Sequence, residues 1–206
     1  MDLKADHLAP LRGKRANRAD TASVPRERIL HAAARLFRER GYKGTTVRDI
    51  ADAVGILSGS LFHHFSSKEE MLLEIMREAA LSACIRAEEI SGRTLTAPEK
   101  LRELVRLELE SIVSDVRKDY HVVLFFEWRE APDKAKPELT ALRRRYQRCW
   151  MEALQGCSDA GRLRCPPDAA AHILRGALGG TMTWFKPNGR YSTAEFGDIL
   201  TQLVLS

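Results

Sequence analysis

From Arg26 onward, apolar residues recur at helical spacing. Ile29, Ala33, Leu36 and Phe37 stand at i, i+4, i+7 and i+8, the stripe of one buried helix face. Gly41 follows, and glycine just past the last apolar turn closes a helix because it accepts backbone angles other residues resist. Val47, Ile50, Ala51 and Val54 repeat the stripe. Thr46 precedes that second helix with Asp49 three residues on, the arrangement of a reciprocal N-terminal cap. Gly55 ends it. A very short third helix is expected from about Ser58 to His64. Ser67, with Glu70 at the reciprocal position, caps a fourth helix reaching about Ile90, where Ser91 and Gly92 break it.

The rest of the chain continues helix upon helix. Thr96 to Glu99 opens a helix to about Lys118, with Pro98 in its first turn, where a missing N–H costs nothing. Asp119 to Glu130 is apolar and aromatic and ends before Pro132. Pro137 to Gln155 and Asp168 to Phe185 follow, separated by a loop around Gly156 to Pro167. After a turn at Lys186 to Gly189, Ser192 or Thr193 caps a last helix carrying Phe196, Ile199, Leu200 and Leu203, whose pattern runs to Ser206. No segment alternates as a strand does, and no repeat is visible. About nine helices in an all-α fold are expected. The organisation read from this is a basic arm over 1–24, a helix-turn-helix unit over 25–70 and a second helical domain over 71–206.

Composition narrows the classes. With 44% apolar residues the chain is globular rather than disordered. Its apolar runs are short, as in Val122 to Phe126, whereas a transmembrane helix needs roughly 20 apolar residues. The first residues, MDLKADHLAPLRGKR, contain no apolar secretory segment. Both points favour the cytoplasm and no membrane partner. Cys84, Cys149, Cys157 and Cys165 form no C-x-x-C pair, and the eight-residue spacing of the last three matches no zinc motif. Reduced, free thiols are expected, with no metal and no cofactor. The net charge is +5, and residues 1–70 hold 13 Lys and Arg against 9 Asp and Glu. Most of the excess is therefore amino-terminal. Arg12, Lys14, Arg15 and Arg18 form a run that either follows DNA phosphates or is simply solvated.

The segment with specific chemistry is Thr45 to Met71, TTVRDIADAVGILSGSLFHHFSSKEEM. Helix, tight turn, short helix and capped helix is the arrangement that puts a helix end into the major groove of DNA. Ser58, Gly59 and Ser60 are small enough to let that end approach base edges. Leu61 and Phe65 would anchor it from behind. Lys68, at the start of the fourth helix, suits a phosphate. His63 and His64 are adjacent, so they point about 100° apart and cannot chelate one metal; a phosphate or base contact fits them better.

The residues Thr46, Ile50, Ala51, Gly55, Gly59, Leu61, His64, Phe65, Lys68 and Glu69, with Leu36, Phe37 and Gly41 upstream, make the stretch from Arg26 to Leu72 resemble the TetR family of transcriptional regulators. The resemblance implies an amino-terminal DNA reader joined to a helical ligand-binding domain, usually in a homodimer. The candidate DNA-contacting residues are Thr46, Arg48, Ser58, Gly59, Ser60, Phe62, His63, His64 and Lys68, of which Thr46, Gly59, His64 and Lys68 are among the positions that match the family. Three positions depart from the family pattern. Leu57 replaces a capping serine, so the cap is expected to move to Ser58. Phe62 replaces a tyrosine, which removes one phosphate hydrogen bond worth about 1 kcal/mol. Val54 replaces an alanine in the turn. Gly55 to Leu61 and the carboxy-terminal Trp184 to Gly189 are similar to a branch of regulators of steroid-ring and fatty-acid catabolism that respond to acyl-CoA thioesters.

In the second domain Arg175 sits between apolar pairs and beside Gly176, Gly179 and Gly180. It reads either as a ligand-anion contact or as an arginine reaching the surface. The glycines leave space for a ligand or for a closely approaching helix. Phe125, Phe126, Tyr146, Trp150 and Trp184, with Trp128, suit an apolar pocket as well as an ordinary core. Phe125, Phe126, Arg129, Tyr146, Trp150, Arg175, Gly179 and Trp184 are the candidate ligand residues. Arg143, Arg144, Arg145 and Arg148 are a solvated face or, for a CoA thioester, phosphate contacts. Ala170, Leu174, Ala177 and Leu178 against Phe196, Ile199, Leu200 and Leu203 are expected at a dimer seam, as the resemblance implies.

The reading that follows is a repressor that binds double-stranded operator DNA as a homodimer. A small effector, an acyl-CoA thioester by resemblance, releases it from a lipid or steroid catabolic operon. Control by another small apolar ligand, as in efflux regulation, is the alternative. An all-α thioester enzyme is a third reading, but the chain carries no G-x-S-x-G, H-E-x-x-H, G-x-G-x-x-G, Walker A or E-x-x-H pattern.

Overall fold

A computed structural model describes residues 24–113, 117–186 and 188–206. The basic run at Arg12 to Arg18 and Pro187 lie outside these. Among the described residues the chain forms nine α-helices: α1 (Arg26–Arg40), α2 (Val47–Val54), α3 (Ser58–Leu61), α4 (Lys68–Gly92), α5 (Ala97–Val113), α6 (Arg117–Phe126), α7 (Lys136–Asp159), α8 (Pro167–Trp184) and α9 (Thr193–Gln202). Two 3₁₀ turns, Trp128–Glu130 and Asp133–Ala135, join α6 to α7.

The helix ends explain most of these bounds. Thr46 accepts from the Asp49 N–H at 3.1 Å while the Asp49 carboxylate accepts from the Thr46 N–H at 2.8 Å, so the α2 cap is reciprocal as expected. Gly55 closes α2 with φ 77° and ψ 31°, the left-handed conformation glycine adopts without strain. Ser192, not Thr193, caps α9 with Glu195 reciprocating. At α4 the box is displaced by one residue. Ser67 accepts from the Glu70 N–H, but the Glu70 carboxylate accepts from the N–H and hydroxyl of Ser66.

The structure corrects four expectations. The cap of α3 does not move to Ser58: Leu57 is the N-cap residue, without a side-chain hydrogen bond. The aromatic helix from Asp119 does not run to Glu130; α6 stops at Phe126 and tightens into a 3₁₀ turn before Pro132. Helix α7 runs past Gln155 to Asp159, because the Cβ-less Gly156 packs against Ala97, where a Cβ would meet the alanine methyl at 2.8 Å. The last helix ends at Gln202, and Leu205 turns back to pair with Leu163.

Burial forms two apolar cores. The first joins α1–α3 and the front half of α4 through Ile29, Phe37, Ile50, Leu61, Phe65 and Met71, and it also takes in Tyr120 and Val123 of α6. The second joins the back of α4 to α5, α7, α8 and α9 through Leu101, Leu104, Leu154, Leu174 and Leu200. Helix α4, 25 residues long, belongs to both and crosses the expected division at residue 70. Ala170, Leu174, Leu178 and Leu200 are buried inside this second core, so they are not surface seam residues. The large exposed apolar residues here are Ile173 and Trp184 on α8, Ile199 on α9 and Leu203 just past its end.

Candidate functional site

The amino-terminal site is built around α3, which has only four residues. Leu61 is fully buried and anchors it, and its outer face carries Gly59, Phe62 and His63, all exposed. No atom lies within 4 Å of a Cβ built on Gly59, so the helix end is open to an incoming surface. Leu57 is 80% exposed and Phe62 55% exposed. These two large apolar side chains stand exposed on either side of the short α3. His64 and Ser60 sit half-buried behind this edge, and Ser58 is likewise half-buried at its start. Thr46 is exposed with its hydroxyl in the α2 cap, and Arg48 points outward, 3.8 Å from Asp52.

Lys68 is placed differently from the expectation. Its ammonium donates to the carbonyls of Tyr42 and Thr45, each at 2.7 Å, and lies 4.1 Å from the centre of the Tyr42 ring. Two of its three protons therefore hold the turn between α1 and α2. Buried Thr45 supports the same turn, donating to the carbonyls of Gly41 and Leu36. Tyr42 and Thr45 passed unnoticed in the sequence. Neither falls on a helical stripe, so periodicity carried no signal for them.

The second site is a half-open cavity of about 300 Å³ lined by residues of α5, α6, α7 and α8. Of the candidate ligand residues, Phe125, Tyr146, Trp150, Arg175 and Gly179 line it. Phe126, Arg129 and Trp184 do not. Phe126 is exposed beside Phe125, Arg129 is exposed in the 3₁₀ turn, and Trp184 packs on Phe185 and Phe196 at the end of α8. Gly179 lets the Phe125 ring approach α8: a Cβ there would stand 3.3 Å from Phe125 Cζ. The basic run on α7 is partly committed elsewhere. Arg145 forks onto Glu88 at 2.8–2.9 Å, and Arg143 lies over the Trp128 ring.

Sequence reasoning missed Glu108, which also lines the cavity with Met151, His172 and Met182. Glu108 accepts from Tyr146 Oη at 2.5 Å and from His121 Nε2 at 2.9 Å. Burial alone would raise its pKa, but the charge of His121 and the two hydrogen bonds outweigh that and bring it below the usual carboxylate value. Burial pulls His121 down, and the Glu108 charge and hydrogen bond more than restore it, to above the usual histidine value. Each shift favours the charged form of its group, so the contact between them is charge-assisted when both are ionised. His172 and Arg175, 3.2 Å apart, are exposed at the rim. A lone acid amid an apolar stripe at position 108 is a signal that was present but was not weighed.

Helix α6 links the cavity to α1. Asp119 accepts from Arg38 of α1 at 2.5 Å, the Tyr120 ring meets His31 of α1 edge-on at 5.6 Å, and His121 reaches Glu108 of α5. Three consecutive residues thus tie the cavity wall to the first helix of the amino-terminal core.

Comparison with known proteins matches both halves. Residues 29–75 match the model of bacterial regulatory proteins of the tetR family, and residues 94–206 match the tetracyclin repressor-like C-terminal domain. The HTH-type transcriptional repressor KstR2 of Mycolicibacterium smegmatis is 35% identical over 90% of this chain and 93% of its own. The solved structure of the ketosteroid transcriptional regulator KstR2 of Mycobacterium tuberculosis superposes with a TM-score of 0.79 at 29% identity, covering 90% of this chain and 97% of that one. AibR in complex with isovaleryl coenzyme A and operator DNA superposes with a TM-score of 0.76 at 26% identity, covering 87% and 97%. With the reader helix, the cavity behind it and both family models in agreement, the chain belongs to the TetR family of bacterial transcriptional regulators.

Proposed function

We propose that the protein is a ligand-responsive transcriptional repressor. It binds operator DNA as a homodimer in the cytoplasm, has no catalytic role, and leaves DNA when an effector fills the cavity of the second half. The observation that carries this reading is the continuity through α6, from Glu108 at the cavity to Arg38 and His31 on α1. A cavity so connected can act on the reader only if its occupant prefers one arrangement of α6 over another. Shifting a repressor from mostly bound to mostly free requires a preference of several kcal/mol.

The open end of α3 is the part that enters the major groove, with Ser58, Gly59, Ser60, Phe62, His63 and His64 toward DNA. Thr46 and Arg48 at the start of α2 flank it on the phosphates. Residues 25–70 then act as reader and 71–206 as effector and dimer domain, with α4 as their shared strut. Exposed Ile173 on α8, Ile199 on α9 and Leu203 just past its end supply the seam between protomers. Two reader helices on one dimer would meet successive major grooves roughly 34–36 Å apart on a pseudo-palindrome.

For the effector we propose an acyl-CoA thioester of lipid or steroid breakdown. The apolar walls suit an acyl or ring group, and Arg175 at the rim suits an anionic remainder. The likeness to KstR2 and to AibR with isovaleryl coenzyme A supports this class. The test is direct titration of the purified dimer with a panel of acyl-CoA and steroid-derived thioesters while operator occupancy is followed. Release by one member bears the reading out. Operator binding indifferent to every member would discard the effector class and keep the regulator.

A further inference from the structure

The polar groups on the cavity surface are sorted by place. At the rim, Arg175 and His172 are exposed donors, with Asp168 and Gln147 exposed beside them. At the floor the picture reverses. Glu108 has its two oxygens engaged, one by His121 Nε2 at 2.9 Å and one by Tyr146 Oη at 2.5 Å. A carboxylate has about four lone-pair sites, so acceptor capacity remains on it. Tyr146 spends its single proton on Glu108 and offers only lone pairs. The indole N–H of Trp150 is buried and has no hydrogen-bond partner. Met151 and Met182 donate nothing. The floor therefore offers spare acceptor capacity on Glu108 and Tyr146, with the buried Trp150 N–H as a donor beside them.

We infer that the cavity selects effectors whose buried end carries a hydroxyl or another neutral hydrogen-bond donor, with Glu108 as the specificity-determining residue. This rests on the proposal that the cavity is the effector site. A hydroxyl at the floor donates to Glu108 in a setting where water is scarce and such a bond is strong. A methyl end fits the apolar walls but leaves the carboxylate's remaining capacity unused. A keto oxygen sets acceptor against acceptor. A terminal carboxylate brings a second negative charge beside a buried one, the costliest arrangement of the four. The rim and floor thus impose a direction: anionic end toward Arg175, neutral donor toward Glu108.

The experiment compares three thioesters of one chain length: octanoyl-CoA, 8-hydroxyoctanoyl-CoA and the mono-CoA thioester of octanedioic acid. Direct binding to the full-length dimer is read by calorimetry, and operator release is read separately. The expected order is hydroxyl tightest, methyl about tenfold weaker and carboxylate about a hundredfold weaker than hydroxyl. In E108Q the carboxylate penalty shrinks to within about threefold of the methyl end, because the floor charge is gone. If E108Q does not fold, Y146F keeps Glu108 charged and must retain the parent's order. Equal binding of the three probes overturns the inference, as does an undiminished carboxylate penalty in E108Q or no binding of any probe. Binding in the expected order without operator release upholds the floor's selectivity and removes the release mechanism of the proposed function.

Discussion

The two apolar cores of the chain are closed to different degrees. Around α1–α3 the apolar residues pack tightly, and the clefts beside Arg35 and Ala53 lie at the surface. Ile29, Ala33, Ile50, Ala51 and Leu61 have no exposed surface, and the polar turn beneath them is tied by Lys68 and Thr45. Around α5, α7 and α8 a cavity of about 300 Å³ persists with the buried Glu108–His121 pair in its wall. Protein interiors ordinarily hold few voids larger than a water molecule. The first core keeps its irregularity outside, in the exposed Leu57 and Phe62; the second keeps it inside. A rigid presenter needs its specific groups on a firm backing, whereas a sensor needs space that a ligand can fill and a packing that filling can change. The contrast between the halves is the division of labour between them.

The contrast predicts where substitutions hurt and how. The largest effect is expected for E108A, which strands a buried His121 charge beside the Tyr146 hydroxyl. Removing one partner of a buried pair costs about 3–5 kcal/mol, readable as a shift of the urea midpoint; a loss below about 1 kcal/mol would mean the pair is well solvated. The same pair gives a pH signature. Glu108 is depressed below 4.5, so its stabilisation is present above that value and fades as pH falls through its lower folded pKa. His121 is raised above 6.5, so its stabilisation is present below that value and fades as pH rises through its higher folded pKa. Stability relative to E108Q should therefore be greatest between pH 4.5 and 6.5 and shrink on both sides.

Lys68 separates scaffold from phosphate contact. K68A leaves two part-buried carbonyls without their donor, an expected loss of about 1–3 kcal/mol measured without DNA. A pure phosphate contact would instead leave the free protein unchanged and reduce the salt dependence of operator binding by about one. The smallest effects are gains at the exposed edge. L57S supplies the side-chain cap that α3 lacks and should add about 1 kcal/mol of stability. F62Y adds a hydroxyl on the surface proposed to face the groove and should tighten operator binding by about 1 kcal/mol, seen in polarisation titrations at fixed salt.

The helices were legible in the sequence because each carries an apolar stripe and most carry a cap. Thr46–Asp49 and Ser192–Glu195 announce their own geometry through spacing alone. Bounds set by a neighbour were less legible. The extension of α7 depends on Ala97 filling the space beside Gly156, a contact between segments far apart in the chain. The aromatic cavity wall was half legible: Tyr146, Trp150 and Phe125 line the cavity, but composition does not distinguish them from Phe126 and Trp184, which the fold turns elsewhere. Glu108, His121 and Lys68 were misjudged or missed because a charged residue on a helix is usually solvated. Only the packing of α5, α6 and α7 makes the acid at position 108 buried and paired.

The central claim is that one chain reads DNA with α3 and is controlled through the cavity behind it. Its most direct test is a selection of bound duplexes from a random library by the full-length protein, followed by polarisation titration of the enriched duplex with and without acyl-CoA thioesters. The account predicts enrichment of a pseudo-palindrome, salt-dependent binding, and release by a thioester that is lost in E108A. Failure to enrich any sequence would contradict the claim at its root.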